Sequence, residues 1–302
     1  MNNFLLRNEK LLEKPIIFFG SGRSGTTVIS EIIFQHEDLA WHSNYQELFP
    51  TFAGINYLRH LFDNKLWRKI GMNTQNNSSF TNYMLFRPIE RYDFWKAVTG
   101  PRIDFARGFL LNERATDKER EYIRTSFAKM VKYQKRKRLA LKITGPARLE
   151  YLMSIFPDAQ FIYITREPVA VVRSWMRVNW EDQITNQLWW EGVYTEEELK
   201  KANDLASDKY LFAAFQLKKI LETTEAEIEK MQPDIYNTSY EEFVIDAFAF
   251  TKNMMEYLHL QPSAHVDNFI RKVAAISRTM NKQVVPTIPQ STREQILQII
   301  NG

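Results

Sequence analysis

An α/β fold is predicted for this 302-residue chain, with a central, mostly parallel sheet in three layers and helical insertions. Three observations predict it. Short apolar runs end abruptly at turn residues, each run is followed by apolar positions at helical spacing, and no repeat or linker splits the chain. The first run, Pro15-Ile16-Ile17-Phe18-Phe19, is too short for a helix and stops at Gly20, which reads as a buried parallel strand. Val28, Ile29, Ile32 and Ile33 then recur at helical spacing. A second strand, Leu139-Ala140-Leu141-Lys142-Ile143, ends at Thr144-Gly145-Pro146, and a helix is expected from about Ala147. A third, Gln160 to Thr165, runs into Arg166-Glu167-Pro168, with Pro168 suited to a first helical position. A fourth, Ile235 to Tyr240, precedes a helical stretch ending near Leu258.

Between these elements lie two helical, aromatic-rich insertions, at about 45–135 and 175–232, within a single domain spanning 1–302. The second carries Thr195-Glu196-Glu197-Glu198, a capping-box pattern, and then a long helix from Asp208 to Met231. Ser291-Thr292-Arg293-Glu294 repeats that pattern before a C-terminal helix.

Composition narrows the function. A formal net charge of +4 is mild: it fits a small anionic ligand and makes no case for nucleic acid. With Cys 0, disulfides, thiolate metal sites and cysteine nucleophiles are excluded. No apolar run approaches the ~20 residues of a membrane span, and the opening residues do not read as a signal peptide, so a cytoplasmic protein is expected. The basic run Lys132 to Arg138 reads as a solvated helix end leading into a strand.

The most informative stretch is Gly20-Ser21-Gly22-Arg23-Ser24-Gly25-Thr26-Thr27, between the first strand and the first helix. Glycines allow a tight turn with N–H groups aimed inward, and the helix adds the positive end of its dipole. Arg23, Thr26 and Thr27 add donors, so Gly22 through Thr27 read as a P-loop-like cradle for a phosphate. An NTPase loop would carry Lys where Thr26 stands, neither the second nor the third strand ends in an Asp that could hold a metal, and Glu241 after the fourth strand is a weak candidate for it. The turn grips phosphate without equipment for a triphosphate–Mg²⁺ group, and no metal site is expected.

Here the sequence resembles the sulfotransferase superfamily, which uses 3′-phosphoadenosine 5′-phosphosulfate (PAPS). Arg23-Ser24-Gly25-Thr26-Thr27 is similar to that family's 5′-phosphosulfate loop. Phe156 through Pro168, followed by Val172-Arg173-Ser174, is similar to its second motif, in which an Arg at a strand end and a Ser eight residues later clamp the 3′-phosphate. Arg166 and Ser174 take those roles by resemblance. Tyr240-Glu241-Glu242-Phe243 with Tyr257-Leu258-His259-Leu260 is a softer third similarity. Two departures stand out. Glu167 replaces the usual Asp or Asn, and no Arg-Lys-Gly loop occurs near the C-terminus, where Lys272, Arg278 and Lys282 are the basic candidates.

The resemblance implies transfer of a sulfuryl group from PAPS to a hydroxyl or amine of a small-molecule, lipid or glycan acceptor, without a metal. Lys142 resembles a lysine that members place near the reacting centre. A gap-free count from Arg23 puts the general base of one branch at Asn44, which cannot serve; the neighbouring Glu47 and His42 are the alternatives. Trp175, Trp180, Trp189 and Trp190 are read either as an acceptor wall or as helix packing. The rival functions are a P-loop nucleotide kinase and a non-catalytic nucleotide-binding sensor.

Overall fold

The computed structural model describes residues 3–64, 85–178, 181–280 and 288–302, with side chains omitted for 274–280. Five parallel strands form one sheet in the order β2-β3-β1-β4-β5: β1 Ile16–Gly20, β2 Leu39–Trp41, β3 Arg138–Thr144, β4 Gln160–Thr165 and β5 Asp234–Ser239. Tyr240 is already helical, so the fourth expected strand ends one residue early; Ser239 caps the helix that follows by accepting from Glu242 N. The four expected strands are joined by β2, a three-residue edge strand paired only with β3.

Alternate strand residues feed opposite faces, as parallel strands buried on both sides require. Ile17, Phe19, Leu141 and Phe161 pack with α4 (Asp117–Tyr133) and α5 (Leu149–Ile155). Ile16, Phe18, Ile162 and Ile164 pack with α1 (Thr26–Ile33), α8 (Ala247–Tyr257) and α9 (Ala264–Met280). The result is three layers. Helices α6 (Pro168–Trp175), α7 (Lys209–Met231) and α10 (Gln290–Asn301) form a further apolar cluster beside β4. The shorter α2 (Asn44–Leu48) and α3 (Asp93–Thr99) lie between β2 and β3 in sequence.

Helix termini follow the sequence signals with one exception. Thr195 makes both bonds of its capping box with Glu198, and Asp208 caps α7. The second capping-box reading is corrected: α10 starts at Gln290 after Pro289, which puts Ser291 inside the helix. Pro289 fixes an extended φ/ψ and has already turned the chain before Ser291 is reached. The basic run does join a helix end to β3, but it is engaged where a solvated end was expected: Arg136 pairs with Asp63, Lys137 with Asp38, and Arg138 donates to Leu258 O. No described helix is long and apolar enough to cross a membrane.

Topology fixes where a ligand sits. From β1 the chain moves outward to β2, returns through β3, then crosses to β4 and β5 on the other side. The crevice at the carboxyl ends of β1 and β4 is therefore the switch point, where open α/β sheets bind ligands.

Candidate active site

The Gly20–Thr27 turn leaves the carboxyl end of β1 and feeds α1. Ser24 folds back on Ser21, its N–H and hydroxyl both reaching Ser21 O, and both serines are buried. Arg23 sits at φ 72, a left-handed conformation that costs a non-glycine residue about 1–2 kcal/mol. That strain turns its backbone toward the helix N-terminus and sends its side chain across to α6, where Nε donates to Ser174 Oγ at 2.9 Å. Gly25 has φ 89 and caps α1; a Cβ there would fall on the Tyr240 ring, so only glycine fits. Thr26 is buried while Thr27 stays exposed at the helix start, among N–H groups without intrahelical acceptors.

Arg166 leaves the end of β4, donates through Nη1 to Arg23 O at 3.0 Å, and lies 4.5 Å over the Tyr240 ring. Tyr240 is thus the shared wall behind Gly25 and Arg166. Glu167 caps α6 despite being one methylene longer than the usual residue, its Oε2 accepting from Ala170 N at 2.7 Å. Burial, and next the charge of Arg166, pull the Arg23 guanidinium below its ordinary pKa. Two guanidinium groups therefore lie near one another at the strand ends, and no described carboxylate forms an ion pair with either. Such an arrangement is completed by an anion. The residues fit a phosphate at each end of the cradle.

On the other side of the loop, Lys142 of β3 donates to Thr27 Oγ1 at 3.0 Å and pairs with Glu90 at 3.3 Å. Glu90 Oε1 also accepts from Thr144 N at 2.5 Å, from the Thr144 hydroxyl and from Tyr92 OH at 3.0 Å. Burial, reinforced by the Glu90 charge, pushes the Tyr92 hydroxyl pKa well up, so it stays a donor. Glu31, one turn into α1, is raised by burial against the opposing charges of Lys142 and Arg87.

A profile of the Sulfotransferase family matches residues 15–264, most of the chain. The chain belongs to the sulfotransferase family. Sulfotransferase STF9 from Mycobacterium avium shares 16% identity and a TM-score of 0.58, over 99% of this chain and 80% of that one. Sulfotransferase STF1 from Mycobacterium tuberculosis H37Rv shares 14% and 0.56, over 96% and 78%. At such identities the likeness is one of fold. Among curated proteins, none matches by sequence.

In this sulfotransferase, Gly22, Arg23, Ser24, Gly25, Thr26, Thr27, Arg166 and Ser174 are brought to one cradle, with Lys142 at its edge. His42 and Glu47 form a separate pair. His42 Nε2 and Glu47 Oε2 are 2.6 Å apart, while Glu47 also accepts from Asp93 N at 2.7 Å and Phe94 N at 3.4 Å. These hydrogen bonds tie β2 to the start of α3, and the Glu47 side chain is only 2% exposed. Burial works to raise its pKa, but the His42 bond and charge and the two N–H groups bring it below the ordinary value. A carboxylate so occupied holds structure together and is ill suited to take a proton. Glu47→Gln is accordingly expected to cost about 2 kcal/mol at pH 7. Because the folded pKa is depressed, the wild-type advantage is full above the ordinary carboxyl value and fades as pH falls through it toward the lower folded value. Urea unfolding at pH 7 and pH 4 would show the gap narrowing; an equal gap at both would contradict this role.

The tryptophans back the loop. Trp175 donates to Gly22 O at 2.8 Å and its ring lies 5.7 Å from that of Trp190, tilted by 38°; Trp190 packs on Gly145, itself donating to Gly20 O. Both are buried, which favours the packing reading for these two; Trp180 lies outside the described residues. Trp189 is half-buried under the Arg107 guanidinium. Of the C-terminal basic candidates, Lys272 lies on α9, while Lys282 and the Arg278 side chain lie outside the described residues. Arg293 had no sequence signal, yet it reaches Glu167, the neighbour of Arg166, at 3.4 Å.

Proposed function

We propose that this sulfotransferase takes the sulfuryl group from PAPS, needs no metal, and passes it to a hydroxyl or amine of a small-molecule or glycan acceptor. The observation that carries the nucleotide reading is the meeting of Arg23, Arg166 and Ser174 across two strand ends, with two like charges and no described carboxylate paired with either. Arg166 and Ser174 hold the 3′-phosphate. The N–H groups of residues 22–27, with Arg23, Thr26 and Thr27, hold the 5′ end at the positive terminus of α1. Bound PAPS supplies an activated sulfuryl group with a phosphate leaving group. As that bond breaks, charge grows on the bridging oxygen, where fixed donors stabilise it without reorganising. Lys142 follows that charge, a reading supported by its hydrogen bond to Thr27 at the loop. The aromatic helical segments between β2 and β3 and between β4 and β5 are the natural acceptor walls.

Calorimetry with 3′,5′-ADP (PAP), 5′-ADP and Mg²⁺-ATP tests the nucleotide reading. Metal-independent binding of PAP is expected, and a preference for Mg²⁺-ATP would favour a kinase. Arg166→Ala should weaken PAP by about a hundredfold, about 3 kcal/mol. Because 5′-ADP lacks the 3′-phosphate, its affinity should change by less than about threefold. Equal losses for both nucleotides would remove Arg166 from the 3′ site. A [35S]PAPS transfer screen over alcohols, phenols, sugars, amines and water then separates an enzyme from a sensor that only binds.

A further inference from the structure

A sulfuryl acceptor must lose a proton as its oxygen attacks, and the base must lie beside the loop, keep a free oxygen and stay open to the acceptor. Glu47 meets none of these conditions: both its oxygens are taken, and no hydrogen bond joins it to the loop. Glu31 lies in the second turn of α1, half-buried, with the charges of both Lys142 and Arg87 acting on it.

Glu90 comes nearest to them: it reaches the loop through Lys142, is half-buried, and one of its oxygens carries a single ion pair and no other described partner. The fold delivers it from a stretch that sequence spacing does not link to the loop. Asn44, at the start of α2, donates through Nδ2 to Leu85 O at 2.9 Å and accepts from Arg87 N at 3.0 Å, while Arg87 O accepts from Asn44 N at 3.0 Å. Ile89 N donates to His42 O at 3.1 Å. Residues 85–89 are thereby laced to the chain just beyond β2, and Glu90 arrives at the carboxyl end of β3. Its two oxygens are treated differently. Oε1 is anchored by the Thr144 N–H, the Thr144 hydroxyl and Tyr92 OH, whereas Oε2 has Lys142 alone, at 3.3 Å. The same lysine reaches Thr27 of the loop at 3.0 Å, so Oε2 lies two short steps from the first turn of α1. The Glu90 side chain keeps 14% exposure, against 2% for Glu47.

We propose that Glu90 is the general base of the reaction and that Oε2 takes the acceptor's proton; this rests on the sulfuryl-transfer reading above. The acceptor oxygen forms a bond to sulfur as the bond from sulfur to the bridging oxygen of the 5′-phosphate breaks. The electron pair of the broken bond stays on that phosphate, giving PAP. The acceptor proton moves to Oε2, and from there to water once the product leaves. Lys142 stands between base and loop, where it compensates the charge of the carboxylate before transfer and of the sulfuryl oxygens during it. Oε1, held by three donors, keeps the carboxylate from turning away.

The test uses the full chain as wild type, Glu90→Gln and Glu47→Gln, assayed by [35S]PAPS transfer with PAP affinity measured on each. Glu90→Gln should lower kcat by about 10²–10⁴ and leave PAP affinity within about threefold. Glu47→Gln should keep at least about a third of wild-type kcat by the same reasoning. The Glu90→Gln loss should be larger for an alcohol than for p-nitrophenol at pH 8, since that phenol is largely ionised and has no proton to give. A Glu90→Gln enzyme turning over within about threefold of wild type would overturn the proposal. So would equal losses for both acceptors, or a loss of PAP binding, which would make Glu90 a positioning residue. If wild type binds PAP but transfers nothing to any acceptor, the transferase reading falls and takes this proposal with it; if wild type fails to bind PAP, the nucleotide reading is the one at fault.

Discussion

Gly25→Ala is expected to abolish useful PAP binding, weakening it at least about a thousandfold while the sheet stays folded. Two costs combine. At φ 89 an alanine is strained by about 1–2 kcal/mol. Its Cβ would also fall on the Tyr240 ring, which has to move. That ring supports the Arg166 guanidinium, so its displacement disturbs the 3′ clamp together with the 5′ loop. A charge-assisted hydrogen bond to a phosphate oxygen is worth about 1.5–3 kcal/mol. Breaking two of them, with the backbone strain added, comes to about 4–8 kcal/mol, which reaches the roughly 4 kcal/mol of a thousandfold change. The hydrophobic clusters on both sheet faces do not include Gly25, so the thermal midpoint should fall by only a few degrees. Calorimetry and a melting curve on one preparation check this. A variant that binds PAP normally would show that the loop is not the anion cradle.

Lys142→Ala should lower kcat by about 10²–10³ and PAP affinity by less than about fivefold. The argument lies in position: Nζ is at the far rim of the loop from Arg166, touching Thr27, and so meets the group being transferred more than the nucleotide that remains. Donors aimed at developing charge contribute to the transition state and little to ground-state binding. Lys142→Arg should recover only part of the rate, because a planar fork cannot match a point donor shared between Thr27 and Glu90. Steady-state kinetics with an acceptor from the transfer screen separates kcat from KM; a change confined to KM would contradict the assignment.

The parts legible in the sequence are those in which adjacent residues carry the signal. β1, the glycine-rich turn and α1 are contiguous, and Arg166 follows the end of β4 just before a helix, opened by Pro168, that carries Ser174 about two turns in. Edge strand β2 is not legible. Three residues, Leu39-Ala40-Trp41, give no usable alternation, and only pairing with β3 makes them a strand. Without it the lacing of residues 85–90 to the chain after β2 stays hidden, and with that the arrival of Glu90 beside Lys142. Along the sequence alone the base therefore falls on Glu47, a carboxylate of the right type whose oxygens are consumed in joining His42 to α3. Asn44 shows the same limit: the residue at the counted base position is an amide whose hydrogen bonds fix the segment carrying another acid. Arg293 gives no signal because its partner, Glu167, lies far away in sequence.

The measurement that bears most directly on the account is a crystal structure of the protein with PAP. The 3′-phosphate should contact Arg166 and Ser174, and the 5′-phosphate should receive the N–H groups of the Gly22–Thr27 turn, with Lys142 alongside. PAP lying elsewhere, or in this crevice with Arg166 and Ser174 turned away from it, would contradict the assignment of both ends.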